Sequence, residues 1–244
     1  MKAEHNSGQI NVAFSHIPSK GWSAGEYYLK NIFIALKSLA EHDRPVITLL
    51  VQGGDYHSLL PFVDCVLARP AFKPDSFGFR QLSRVAGYLG FNIKRKNQIS
   101  SFLRKSGVNA LFTIGELGAN FSLPLLSWIP DFQHLHFPDF FSEEENSRRN
   151  RTFARSARHA KRIIVSSKSC YEDLRFFAPW ALDKARVLPF VVQIPDELYD
   201  NPPKSICSKY NLPERYIFVP NQFWQHKNHK IVVEALGKAL SRCP

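Results

Sequence analysis

Residues 216–244 read YIFVPNQFWQHKNHKIVVEALGKALSRCP and fall into three parts. Tyr216–Val219 is a short apolar run that predicts a β-strand, and Pro220–Lys227 is a polar loop. Asn228–Leu240 predicts a helix with Val232, Ala235, Leu236, Ala239 and Leu240 on one face. Strand, loop and helix in this order open a nucleotide-binding α/β domain. They bring Lys227 to the free amides at a helix N-terminus, where a phosphate is stabilised by charge and dipole together. Asn228 suits the N-cap, and Asn221, Gln222 and His226 add hydrogen-bonding groups beside a lysine that is otherwise a plain exposed one. One βα unit of ~30 residues buries too little surface for a core of its own. The expectation is a second domain begun here and not completed by Pro244.

Upstream of this unit, Val192–Pro213 carries Pro195, Pro202, Pro203 and Pro213 among polar residues with little periodicity, as a linker does. The division expected is an N-terminal domain over 1–190, a linker over 191–212 and the start of a C-terminal domain over 213–244. In the first of these, strand-like runs recur at Gln9–His16, Val46–Val51, Val63–Leu67, Ala110–Ile114, Leu125–Ile129, Ile163–Ser166 and Arg186–Phe190. Helical stretches fall at Ala24–Ala40, Phe79–Leu89, Gln98–Arg104, Glu143–His159 and Cys170–Phe177. The first helix has an apolar face of Leu29, Ile32, Phe33, Leu36 and Leu39. Strands alternating with helices give an α/β fold with a doubly wound, Rossmann-like parallel sheet. Ligands of such sheets sit beyond the carboxyl ends of the strands, so function is sought in the loops that follow them.

Three of those loops stand out. Ser15–Glu26, SHIPSKGWSAGE, joins the first strand to the first helix, and Gly21 and Gly25 let backbone approach a ligand closely. It is not a GxGxxG fingerprint, and Ser23 with Glu26 also reads as a capping box that starts the helix with no ligand at all. Trp128–Phe141, WIPDFQHLHFPDFF, sets Asp131, His134 and His136 among aromatics and prolines, a mixture that suits a sugar's apolar faces and hydroxyl edges. A histidine among carboxylates there has the chemistry of a general base, though a packed loop whose histidines bond backbone groups reads equally well. Ser166–Leu174, SSKSCYEDL, offers a second capping box from Ser169 and Glu172, and Cys170 reads as packing rather than as a nucleophile.

Composition bounds the rest. With 44% hydrophobic and 22% charged residues, 244 residues suffice for one large α/β domain and a remnant. The N-terminus shows no signal-peptide pattern and no stretch is apolar enough to span a bilayer, so a cytoplasmic location is expected, or a peripheral one at the inner face of the membrane. Cys65, Cys170, Cys207 and Cys243 have no metal or disulfide spacing. The net charge of +11 favours acidic partners. Part of it is a stripe, Arg148, Arg151, Arg155 and Arg158 at helical spacing, with Phe153, Ala157 and Ala160 opposite. The stripe reads as a solvated helix face and also suits an anionic membrane or a polyanion. No nucleic-acid-binding pattern accompanies the charge.

Taken together, GWSAGEYYLKNI, IPDFQHLHFPDFF, VSSKSCYEDL and PNQFWQHKNHKIVVEAL resemble the family 4 (group 1) glycosyltransferases of the GT-B fold, which are built from two Rossmann-like domains. The resemblance covers nearly the whole chain and is most specific in the last segment. It implies an acceptor-side N-terminal domain and a nucleotide-sugar-binding C-terminal one. It further implies that Lys227 contacts the donor diphosphate, that Gly25 lines the phosphate side of the cleft, and that His134 lies near the transferred sugar. Gln222 stands where many relatives have an arginine. The family's E-x7-E segment would lie beyond residue 244, and there is no DxD triad, which speaks against an obligatory metal cofactor.

The reaction implied is transfer, with retention, of a sugar from a nucleoside-diphosphate sugar to the hydroxyl of a carbohydrate or lipid-linked acceptor, in polysaccharide or glycan biosynthesis. The candidate catalytic residues are His134 and Asp131. Donor phosphate-binding candidates are Lys227, Asn221, Gln222 and Gly25, and Arg148, Arg151, Arg155 and Arg158 form the acceptor- or membrane-facing set. The chain by itself is expected to transfer little. The competing reading is a non-catalytic module that docks on anionic lipid or polysaccharide through the arginine stripe.

Overall fold

The computed structural model describes residues 9–18, 22–70, 98–115, 121–194, 196–200 and 203–242. Of the eight apolar runs read as strands, seven pair into one sheet: β1 (Asn11–Ser15), β2 (Val46–Val51), β3 (Cys65–Ala68), β4 (Ala110–Ile114), β5 (Leu125–Ile129), β6 (Arg162–Val165) and β7 (Ala185–Val187). The order is β3-β2-β1-β4-β5-β6-β7 and every pairing is parallel. The first three strands wind outward from β1 in one direction and the last four in the other, so the topology reverses between β1 and β4. The helices are α1 (Ser23–Lys37), α2 (Gln98–Lys105), α3 (Gln133–His136), α4 (Glu143–His159), α5 (Lys168–Phe177), α6 (Pro203–Lys209) and α7 (His229–Arg242). This is the doubly wound α/β, Rossmann-like fold. The helix expected at Phe79–Leu89 and the glycine at Gly21 lie outside the described residues.

Both faces of the sheet are covered, and the period-2 alternation of a strand sorts side chains between them. From β1 and β2, Phe14, Ile47, Leu49 and Val51 join Leu29, Ile32 and Phe33 of α1 in one core cluster. Their neighbours Ala13 and Leu50 turn to the opposite face and pack with Leu103 of α2. A third cluster gathers Ile129, Phe153, Ala157, Ile163 and Leu174 under α4 and α5. In this interior Asn11 is paired on both sides: Thr48 Oγ1 donates to its Oδ1 at 2.8 Å, and Asn109 Oδ1 accepts from its amide at 2.7 Å. The α1 face reads as expected except at its end, where the helix stops at Lys37 and Leu39 is exposed.

The chain divides into two compact units, Met1–Phe132 with Ser147–Val192, and Gln133–Asn146 with Gln193–Pro244. The first contains the sheet. The second contains α3, a 3-10 turn at Pro138–Phe140, α6 and α7. Tyr216–Val219, the eighth apolar run, forms no strand, with Tyr216, Ile217 and Phe218 exposed to 49%, 63% and 75%. Among the described residues it pairs with no strand, and Val219 O instead accepts from the Asn221 amide at 2.8 Å. The helix that follows does form. Of its expected apolar face only Val232 is half-buried, and Ala235, Leu236, Ala239 and Leu240 are exposed.

Candidate functional site

The carboxyl ends of the seven parallel strands lie at one edge of the sheet, the mouth at which β1 and β2 hand over to their loops. At the β1 end, the His16 amide donates to Leu50 O at 2.9 Å and so continues the β1–β2 ladder by one residue. The half-buried His16 ring meets Tyr56 edge-on at 5.9 Å, and its Nε2 is buried with no hydrogen-bond partner. After β2 come Gly53 and Gly54, at φ 92° and 86°, then Asp55, whose carboxylate accepts from the His57 amide at 3.0 Å and meets His57 Nδ1 at 2.7 Å. The His57 backbone bond first, and its side-chain bond second, hold the Asp55 carboxyl below the usual carboxylate range.

The first turn of α1 is shaped by packing. A Cβ on Gly25 would lie 2.6 Å from Ile17 Cγ2 and 2.7 Å from the Trp22 ring, so only glycine lets the first turn of α1 close on these two side chains. The capping box expected from Ser23 and Glu26 is not formed. Trp22 occupies the N-cap with no side-chain bond, and Glu26 instead accepts a hydrogen bond from Ser58 Oγ. The second capping box is not formed either. Ser167, not Ser169, caps α5, its Oγ accepting from the Cys170 amide at 3.0 Å, while Glu172 pairs with Arg175. No box forms because β6 ends at Val165 and the turn follows at once, so the helix starts at Lys168, Ser167 caps it alone and Cys170 stands where a box needs an acidic or amide side chain.

Beneath the mouth an aromatic stack fixes the strand ends. Trp128 is fully buried, stacks on Tyr28 at 4.0 Å and on half-buried Trp22 at 5.8 Å, and donates from Nε1 to Ser166 Oγ at 2.9 Å. Burial drives the Tyr28 hydroxyl well above its ordinary pKa. Cys170 Sγ lies 3.6 Å from Ile129 O, and burial pushes its thiol up to about 12, which removes the thiolate a nucleophile requires.

Asp131 follows β5 and pairs with Arg149 of α4 at 3.5 Å. His134 is buried within α3, at 2% exposure, and His136 is exposed. Asp131 belongs to the first unit and His134 to the second. Arg148, Arg151, Arg155 and Arg158 are all exposed on α4, while Phe153, Ala157 and Ala160 opposite are buried. Three glutamates fill the first turn of α4 and Arg158 the last, an arrangement the helix dipole favours at both ends.

In the second unit, Lys227 closes a 3-10 turn, Gln225–Lys227, just ahead of α7. Lys227, Asn221 and Gln222 are exposed, so their polar groups open to one solvent-facing loop. Asn228 precedes α7 in the left-handed region at φ 49°, which asparagine tolerates better than most residues, rather than in the extended conformation of an N-cap. His226 is half-buried between Phe140 at 6.0 Å and Trp224 at 5.5 Å. No group of three or more potential ligands arranged for a metal ion occurs among the described residues, and no described helix is long and apolar enough to cross a membrane.

No protein-family model and no curated protein matches the chain. Among solved structures it is similar to Anabaena Alr3699/HepE in complex with UDP and glucose, at TM-score 0.56 and 19% identity over 97% of this chain and 59% of that one. It also matches Arabidopsis thaliana UGT89C1 complexed with UDP, at TM-score 0.45 and 14% identity over 85% of this chain and 56% of that one. The chain thus spans 59% of the length of the Anabaena protein. At this identity the likeness shows a shared α/β Rossmann-like fold.

Proposed function

We propose that the chain is part of a retaining glycosyltransferase that moves a sugar from a nucleoside-diphosphate donor to an acceptor hydroxyl in polysaccharide or glycan biosynthesis. The observation that supports this best is the sheet itself. A protein solved in complex with UDP and glucose is similar to this chain in fold, at TM-score 0.56 over 97% of the chain. The family 4 resemblance of the segment around Lys227 agrees with it.

In this reading Lys227 and the first amides of α7 meet the diphosphate, with Asn221 and Gln222 beside them and Gly25 on the phosphate side of the cleft. As the bond from the anomeric carbon to the diphosphate oxygen breaks, negative charge grows on the leaving group, and fixed donors there lower the barrier. Asp131 and His134 lie toward the transferred sugar. With no DxD triad in the sequence, the cation charge comes from the protein and an obligatory metal is not required. The exposed arginine face of α4 serves a carbohydrate or lipid-linked acceptor, or a peripheral contact with the inner face of the membrane.

Isothermal titration of the purified chain with UDP and with GDP tests the donor assignment. Lys227→Ala weakens binding of the preferred nucleotide about tenfold, since a charge-assisted contact is worth about 1.5–3 kcal/mol. Equal affinity in the two proteins, or no binding of either nucleotide, removes Lys227 from the donor site.

A further inference from the structure

We propose that the outer face of α4 and α5 docks on an anionic phospholipid bilayer, with Phe176 and Trp180 entering the headgroup region and the arginines of α4 beside them meeting lipid phosphates. The proposal rests on the peripheral-membrane reading of the arginine face and not on the donor assignment. The crossovers from β5 to β6 and from β6 to β7 run the same way across the sheet, so their right-handed sense places α4 and α5 on one side of it. The two helices share a core cluster there, through Phe153 and Ala157 of the first and Cys170 and Leu174 of the second. Phe176 lies two residues from Leu174, about 200° round the helix, and so points away from the sheet. The exposed arginines of α4 point away from it too, opposite buried Phe153 and Ala157.

Two large aromatic side chains stand out on this surface. Phe176 is 80% exposed, with the Arg175 guanidinium 5.7 Å from its ring centre, and Trp180, in the 3-10 turn Pro179–Lys184, is 60% exposed. A single exposed ring is ordinary, but two within one cationic surface have the make-up of a membrane-interface anchor, whose apolar bodies enter the acyl boundary while an indole N–H stays among headgroups. The turn is fastened to the end of the arginine face. Lys184 Nζ donates to Ala157 O and to Arg158 O, both at 3.3 Å, which brings the turn that carries Trp180 against the last turn of α4. Eight lysines and arginines against three acids fall between Arg155 and Arg186, and one of the acids, Glu172, is paired with Arg175. Cations around an apolar pair complement anionic headgroups in charge and the acyl boundary in polarity, a combination that a soluble polyanion does not offer.

Sedimentation of the purified chain with lipid vesicles tests this. The probes are vesicles of phosphatidylcholine alone, vesicles of phosphatidylcholine mixed with phosphatidylglycerol, and inorganic polyphosphate. The expected result is binding to the anionic vesicles that is about tenfold weaker in a Phe176→Ser, Trp180→Ser double variant and about tenfold weaker in an Arg155→Glu, Arg158→Glu one, with melting curves reporting that each fold is kept. Lipids brominated in their acyl chains quench the tryptophan fluorescence of the bound chain, and Trp180→Phe, which still binds, loses most of that quenching. No binding to anionic vesicles, binding unchanged in the Phe176→Ser, Trp180→Ser variant, or quenching unchanged in Trp180→Phe overturns the proposal. Binding to polyphosphate with none to vesicles overturns it as well and makes the face a polyanion site. No nucleotide is present in these measurements, so their failure leaves the donor reading of Lys227 standing, and a failure of UDP to bind leaves this surface standing.

Discussion

Val46–Val51 (VITLLV) and Tyr216–Val219 (YIFV) are close in composition and opposite in fate. The first is buried at every position and paired on both sides, to β1 and to β3. The second has as much β-forming character, stays unpaired and leaves its large side chains in water. The difference teaches that apolar, β-branched and aromatic sequence prepares a segment for a sheet, while the neighbouring strands decide whether it becomes one. The same contrast separates the two units. The mouth of the sheet is built from side chains locked by packing, and the loop around Lys227 stands on exposed backbone.

The comparison breaks most sharply at Trp128. Trp128→Ala removes the centre of the aromatic stack and strands the Ser166 hydroxyl, so a loss of about 3–5 kcal/mol is expected in urea denaturation. Leu49→Ala follows at about 2–5 kcal/mol, whereas Phe218→Ala, at the exposed run, stays within about 0.5 kcal/mol. Parity between these two would erase the contrast. Gly25→Ala is expected to lose about 1–3 kcal/mol, because Ile17 and Trp22 must give way; an unchanged midpoint would mean the first turn of α1 is not packed as described.

A smaller effect separates the two serines at α5. Ser167→Ala is expected to lower stability by about 1 kcal/mol and Ser169→Ala far less, so equal losses would give Ser169 the capping role. Smaller still is an alkaline effect. The buried Cys170 thiol has its pKa raised from 9.0 to about 12, so the folded state holds that proton more tightly than the unfolded one. Its contribution is complete below pH 9.0 and is lost as pH rises through about 12. Cys170→Ala therefore flattens the fall in denaturation midpoint over that window, and an unchanged slope would show that the thiol is not buried in solution.

Much of the sheet was legible because each strand is a short apolar run between turn residues. Val46–Val51, Ala110–Ile114 and Leu125–Ile129 match the observed strands at both ends. The caps were less legible, since an S-x-x-E match does not say where the preceding strand lets go of the chain. Asp131 could be placed after β5 from the sequence, but its partner Arg149 could not, being fixed by how α4 crosses back over the sheet. His16 carried no motif. Its one signal was position, immediately after the first strand, and its orphaned Nε2 arises only once Tyr56 and Gly54 are brought to it by the β1–β2 pairing.

Hydrogen–deuterium exchange, followed by mass spectrometry with and without UDP, bears on both halves at once. The expected result is strong protection over 46–51 in either condition, rapid exchange over 216–228 in the free chain, and UDP-induced slowing confined to peptides that cover 221–228. Protection of 216–219 equal to that of β2 in the free chain would contradict the structural contrast, and an absence of any UDP effect over 221–228 would contradict the donor role given to that loop.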